Sequence, residues 1–175
     1  MNRDIQSVPF GYEPPPEKRK GTLIYYDTFE GITDGELDLA VESMEHYSFD
    51  RLVLYPLHEE TVRRMLKEPV SAFHKREKRL FEWRNNRGHL RVIVEGWEGK
   101  RKKYTPLDSA LRLIEEKYKA PYFLYISPET ANLFASFSSF EEWIVKIRLL
   151  LSSEPRDLHP KLVEYQHRWA VNNLL

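Results

Sequence analysis

The chain has 175 residues, 41% hydrophobic and 31% charged, with 27 Lys+Arg against 27 Asp+Glu and no cysteine. That length suits one domain with a real core, and the missing thiols exclude disulfides, thiolate nucleophiles, Cys-containing zinc sites and iron–sulfur clusters. Zero net charge, no apolar run near the ~20 residues of a membrane span and no apolar stretch in the first twenty residues predict a cytoplasmic domain without nucleic-acid or membrane partners.

Residues 1–20 hold four of the eleven prolines, including Pro14-Pro15-Pro16, and end in the charged run Glu17-Lys18-Arg19-Lys20. Consecutive prolines favour extended polyproline II, so this stretch reads as an N-terminal arm, either a loose terminus or a docking segment for a protein partner. Residues 21–175 read as an α/β domain. Thr22 to Tyr26 is a short apolar, β-branched and aromatic run, predicting a buried strand. Leu37, Ala40, Val41 and Met44 recur at helical spacing, predicting a helix over 34–47 that Thr33 or Asp34 caps. Leu52 to Tyr55 predicts a second strand. Helices follow over 59–66 and 71–83, kept apart by Pro69. Leu90 to Val94 predicts a third strand, and Glu95 to Lys103, with Gly96 and Gly99, a polar loop.

Leu107, Ala110, Leu111, Ile114 and Tyr118 mark another helix, and Pro121 to Ile126 a fourth strand. A short helix is predicted over 139–146. Ile147 to Leu151 suits either a continuation of that helix or a fifth strand. A last helix is predicted over 160–171, on Leu162, Val163, Tyr165 and Trp169. Alternating strands and helices imply crossover units on a parallel sheet, and strands read as apolar runs imply a sheet covered on both faces. The expected fold class is α/β: one doubly wound domain with a mostly parallel, five-stranded sheet. Such sheets bind ligands at the carboxyl ends of their strands, where the strand order reverses. The segment after the first strand, Asp27 to Gly35, is therefore the first candidate site.

That segment reads Y-D-T-F-E-G-I-T-D-G-E-L from Tyr26 to Leu37. It resembles the signature G-G-T-F-D-P-x-H-x-G-H-L of the nucleotidyltransferases. Pro56 after the second strand, Lys78-Arg79-Leu80 and Tyr104-Thr105 resemble further family positions. The stretch from Tyr122 to Trp143 resembles the family's Y-F-I-I-G-A-D-N-L-A-N-F-P-S-W-H-R-F-E-E-W, and Leu158 to Tyr165 its terminal V-P-x-x-V-x-x-Y-I helix. Taken together, these motifs resemble the bacterial nicotinate mononucleotide adenylyltransferases over about Gly21 to Trp169. The resemblance implies a Rossmann-like fold, a role in NAD biosynthesis, and transfer of the adenylyl group of ATP to nicotinate mononucleotide with Mg²⁺. It also implies that vestigial nucleotide-binding residues would be Thr28, Phe29, Glu30, Gly35, Ser127, Glu129, Phe137 and Arg156.

The likeness breaks where the family binds triphosphate. Its two histidines are Thr33 and Glu36 here. Asp27 replaces a glycine and Gly31 a proline. The serine-rich I-S-S-T-x-x-R segment has no clear counterpart beyond Ser152-Ser153 and Arg156. Four acids, Asp27, Glu30, Asp34 and Glu36, fall within ten residues. Juxtaposed like charges typically cost several kcal/mol, and at about 1.4 kcal/mol per tenfold they would weaken ATP binding by at least two orders of magnitude. On the mononucleotide side, Ser127-Pro128-Glu129 replaces G-A-D. Phe137 replaces the tryptophan that stacks on the pyridine ring, and its phenyl ring can still stack.

The expected function is a degenerate nucleotidyltransferase, a pseudoenzyme kept as a nucleotide-binding or protein-interaction module with a mononucleotide as its ligand and no catalytic residue assigned. The alternative is an active adenylyltransferase, using ATP and Mg²⁺, in which Arg156, Lys75 or Lys102 replaces the histidines. Asp27, Glu30 and Glu36 read either as hard-oxygen ligands for a divalent cation or as a solvated helix N-terminus, the second being favoured. The histidines, at 46, 58, 74, 89, 159 and 167, show no metal-binding spacing, so no metal site is expected. The basic runs 75–79 and 100–103 read as solvated faces, since acids interleave the first and the whole chain is neutral.

Overall fold

The computed structural model describes residues 19–174. The expected N-terminal arm therefore lies, save for Arg19 and Lys20, outside the described residues. The chain alternates β1 (Thr22–Asp27), α1 (Asp34–His46), β2 (Arg51–Pro56), α2 (Glu59–Met65), α3 (Phe73–Arg87), β3 (Val92–Val94), α4 (Trp97–Arg101) and α5 (Leu107–Lys117). It continues with β4 (Tyr122–Ile126), α6 (Pro128–Ala135), α7 (Phe140–Ile144), β5 (Ile147–Leu151), α8 (Pro160–Glu164), one 3₁₀ turn at Gln166–Arg168 and β6 (Trp169–Val171). The strands form one sheet in the order β3-β2-β1-β4-β5-β6, and every pairing is parallel.

Successive strand residues point to opposite faces, and here both faces are apolar. Leu23, Tyr25, Leu52, Leu54 and Tyr125 join the core under α1 and α3. Ile24, Tyr26, Val53, Tyr55, Leu124 and Ile126 join the larger core under α2, α5, α6, α7 and α8. The start of β1 lies close against β4. Thr22 N donates to Pro121 O at 2.9 Å. A Cβ on Gly21, whose φ is +81°, would sit 2.2 Å from that same oxygen, so only glycine fits.

The fold class is as expected, with corrections to its elements. The sheet has six strands rather than five. Ile147 to Leu151 forms the fifth by pairing with β4. The expected last helix stops at Glu164, and Trp169–Val171 pairs with Leu149–Leu151 as the sixth. That helix is cut short because Arg168 donates through Nε to Ile144 O at 2.8 Å and through Nη2 to Ile147 O at 3.0 Å, while Trp169 Nε1 donates to Leu162 O at 2.8 Å. Those contacts turn the chain back along β5, so the segment that resembles the family's terminal helix leads into a strand. Within the expected polar loop, Trp97–Arg101 is helical. The chain also forms α6, which was not expected, on a Ser127 cap with Pro128 in the first turn. The third strand begins at Val92, and Leu90 is 84% exposed.

From β1 the strands run outward through β2 to β3. The chain then returns to place β4 on the other side of β1. The order reverses between β1 and β4, so the loops after these two strands flank the crevice where such sheets take ligands.

Candidate functional site

The β1–α1 loop is tightly built. Phe29 takes the left-handed conformation, φ 61°, and Gly31 follows at 62°. Phe29 is buried and packs edge-to-face on Tyr25 at 4.8 Å. The Asp27 carboxylate accepts from Phe29 N at 3.1 Å, and Thr28 Oγ1 accepts from Glu30 N at 3.1 Å. Burial pushes the Asp27 carboxyl above its ordinary value, with the N–H groups of Phe29 and Thr28 partly opposing and Glu36 and Glu68 adding to the rise.

Thr33 and Glu36, which the sequence resemblance sets at the family's histidine positions, bind each other. Thr33 Oγ1 accepts from Glu36 N at 3.1 Å. Glu36 Oε1 in turn accepts from Thr33 N at 3.2 Å and from Thr33 Oγ1 at 3.0 Å. This is a capping box, which satisfies backbone donors at both ends of the first helical turn. It places a carboxylate over the end of α1 that would otherwise attract an anion. Gly35 sits inside the box, near Thr33 Oγ1.

The other acids are also engaged. Glu30 accepts from Ser71 N at 2.9 Å and from Ser71 Oγ at 2.6 and 2.7 Å, contacts that hold its carboxyl below its ordinary value. Asp34 accepts from Arg79 at 2.6 Å and faces Arg87 at 3.5 Å. Among the described residues, no three acidic or histidine side chains converge as a metal site requires. The residues at this edge therefore do not fit the Mg²⁺–triphosphate pair that the resemblance implies. Each of the four carboxylates already has a protein partner, and α1 carries its own negative cap.

Cations stand behind the loop. Arg76 is buried and spends most of its donors on the backbone, with Nη2 on Glu59 Oε1 at 3.4 Å. Nε reaches Ser71 O at 2.9 Å, and Nη1 reaches Thr28 O at 2.8 Å and Leu57 O at 2.7 Å. It thus ties the end of β1 to the end of β2. Lys75, Arg76 and Arg79 line a cavity of about 200 Å³ together with Phe29, Glu30 and Ser71.

Across the crevice, Ser127 caps α6. Its Oγ accepts from Thr130 N at 3.1 Å. Glu129 is exposed in the first turn of that helix. Phe137 lies apart from both, in the turn between α6 and α7. It lines a cavity of about 710 Å³ with Tyr104, Pro106, Leu107, Asp108, Arg112 and Glu142. Arg156 is exposed in the 152–159 loop, which Ser152 N anchors to Ile126 O at 2.9 Å. Lys102 is the left-handed C-cap of α4. The structure thus gathers Thr28, Phe29, Glu30, Thr33, Gly35 and Glu36 on one lip and Ser127 and Glu129 on the other. Phe137 belongs to a second cavity.

One group gave no sequence signal. Glu98, fully buried in α4, accepts from Tyr55 OH at 2.7 Å, Thr61 Oγ1 at 2.8 Å and His58 N at 2.9 Å. Burial raises its carboxyl above the ordinary value, and these bonds partly offset the rise. Spacing could not expose it, because its partners come from β2 and α2, about forty residues away. It welds the end of β2 to α4.

No family model and no curated protein matches the chain. Solved structures do. One is a provisionally assigned nicotinate-nucleotide adenylyltransferase from Vibrio parahaemolyticus, with TM-score 0.56 and 18% identity over 85% of each chain. Another is the nicotinic acid mononucleotide adenylyltransferase of Plasmodium falciparum in complex with NaAD, with TM-score 0.66 and 10% identity over 87% of this chain and 75% of that one. Identities this low speak to architecture alone. The six-stranded parallel sheet, its reversal between β1 and β4 and these two likenesses agree that the chain has the Rossmann-like nucleotidyltransferase fold of the nicotinate-nucleotide adenylyltransferases.

Proposed function

We propose that this protein is a nucleotidyltransferase-fold pseudoenzyme that has lost the ATP step and serves as a nucleotide-binding module, with the Phe137 cavity as its mononucleotide pocket. The observation that carries the reading is the capping box of Thr33 and Glu36. Phosphoryl transfer depends on positioning and charge neutralisation. Here the positions aligned with two phosphate-binding histidines hold a helix cap and a negative charge. The mononucleotide side has kept more of what a ligand needs, namely an aromatic wall and a cavity of about 710 Å³, within the size range of small-molecule sites. The Plasmodium protein of the same fold was solved with NaAD, which supports a pyridine nucleotide as the class of ligand. The test is calorimetric titration with ATP up to millimolar concentration, with and without Mg²⁺. No binding heat is expected, and affinity in the tens of micromolar would overturn the reading.

A second reading, an active adenylyltransferase with substituted phosphate partners, draws on the cluster of Lys75, Arg76 and Arg79 around the cavity beside the β1–α1 loop. It requires pyrophosphate release from ATP and nicotinate mononucleotide, reduced by Lys75→Ala. Under the favoured reading there is no release to reduce.

A further inference from the structure

A cavity of about 320 Å³ opens at the other end of the sheet, between the starts of β1 and β2 and the end of α5. It lies a full strand length from the crevice, about 16 Å along β1 at ~3.3 Å per residue. Three cations and one acid line it: Arg51, Lys117, Lys119 and Asp50. Lys117 is already engaged. Its Nζ donates to Glu95 Oε1 at 2.8 Å, and Glu95, only 4% exposed, also accepts from Tyr118 OH and from Trp97 N at 3.1 Å. That buried carboxylate fixes the Lys117–Tyr118 wall. Thr22 brings the other two cations together. It pairs with Arg51 in the sheet, and its Oγ1 donates to Lys119 O at 2.8 Å. Arg51 Nε stands 3.8 Å from Asp50, beyond hydrogen-bond distance, and Lys119 is exposed. Among the described residues, neither cationic group donates a hydrogen bond. With Lys117 balanced by Glu95, two cations with open donors face one carboxylate.

Beside these charges, Ile93 and the Tyr118 ring offer apolar surface. A carboxylate presents two oxygens in one plane, enough for one cation. A phosphate presents three, enough for an arginine fork and a lysine point charge on different elements. A rigid wall with an apolar part suits a ring or alkyl group joined to that phosphate, and the volume lies in the range of small-molecule sites. We propose that this cavity binds a small phosphomonoester with an apolar body, the phosphate on Arg51 and Lys119 and the body on Ile93 and Tyr118. The site is separate from the crevice and from the Phe137 cavity, and it does not depend on what either of them binds.

The test is titration of the intact chain with phenyl phosphate up to millimolar concentration, followed through the backbone amide signals of Thr22, Ile93 and Lys119 by NMR. Saturable shifts at these residues are expected, with inorganic phosphate and benzoate each binding about tenfold more weakly. Arg51→Gln and Lys119→Gln each remove one exposed cation and should each weaken phenyl phosphate about tenfold. Lys78→Gln, the same charge change on α3 at the opposite face of the sheet, should leave its affinity unchanged, as should Phe137→Ala. Inorganic phosphate binding as tightly as phenyl phosphate would overturn the apolar contact and leave an adventitious ion only. Benzoate binding as tightly would overturn the phosphate assignment. No saturable shift, or shifts confined to the crevice or the Phe137 cavity, would overturn the site itself.

Discussion

Glu36 does two jobs through one carboxylate, and both can be read by mutation. It closes the first turn of α1 and it screens that helix end from anions. Loss of a cap typically costs ~1 kcal/mol, so Glu36→Ala should lower the unfolding free energy by about that amount, read as a fall in the urea midpoint at unchanged slope, without altering the fold. The double change Thr33→His with Glu36→His removes a negative charge and adds two donors at one helix end. It should bring ATP binding into the measurable range. A double variant that binds ATP no better than the parent would show that phosphate does not belong at this end of α1. These residues were legible in the sequence in two senses, as a cap before an amphipathic helix and as the aligned positions of the histidines. Their reciprocal hydrogen bonds were not, since residue spacing allows a capping box without requiring one.

At the level of elements, what was legible follows segment length. β1, β2, β4, α1 and α5 have enough residues for their periodicity to be read, and they lie where it placed them. The three-residue strand β6 does not. Leu162, Val163, Tyr165 and Trp169 fit a helical stripe, and only the edge of β5 and the Arg168 and Trp169 bonds decide otherwise. The helix α4 hides behind two glycines that normally signal a loop, because close packing against α3 needs them. A Cβ on Gly99 would come within 2.4 Å of the Phe73 ring, and one on Gly96 within 2.5 Å of Glu77 Oε2. Gly99→Ala should raise helix propensity and still destabilise, since overpacking typically costs ~1–3 kcal/mol. Thermal unfolding checks the sign. A rise in Tm would mean that α4 can shift away from α3 at little cost.

Across the whole molecule, two sets of carboxyls pull stability in opposite directions with pH. Glu98 and Asp27 have raised values, chiefly from burial. The folded state then holds protons that the unfolded chain has lost, so their contribution declines as pH rises above about 4, the unfolded carboxyl value. Glu30, Asp38, Asp108 and Glu141 have lowered values, chiefly from side-chain hydrogen bonds with Ser71, Arg87, Trp143 and Lys161 respectively. Their contribution is present above the same value and is lost as acid protonates them in the folded state. Denaturant unfolding between pH 3 and pH 8 should therefore show a maximum. Glu98→Gln should flatten the decline on the alkaline side and leave the acid side unchanged. If the alkaline slope survives, the proton is held elsewhere.

The reversal in strand order also bears on how the chain is made. β1 ends in the centre of the sheet, between β2 and a strand that begins about a hundred residues later, at Tyr122. During synthesis, β1, β2 and β3 can assemble with α1 and α3 around most of one core, which Tyr125 and Leu150 complete, well before β4 leaves the ribosome. Until then β1 presents an unpaired apolar edge, the kind that recruits other chains. Early assembly of this half, capped by Thr33 and tied by Arg76, would leave that edge open until β4 docks on it. Pulse-labelled hydrogen exchange should accordingly find β1 and β2 protected before β4 and β5.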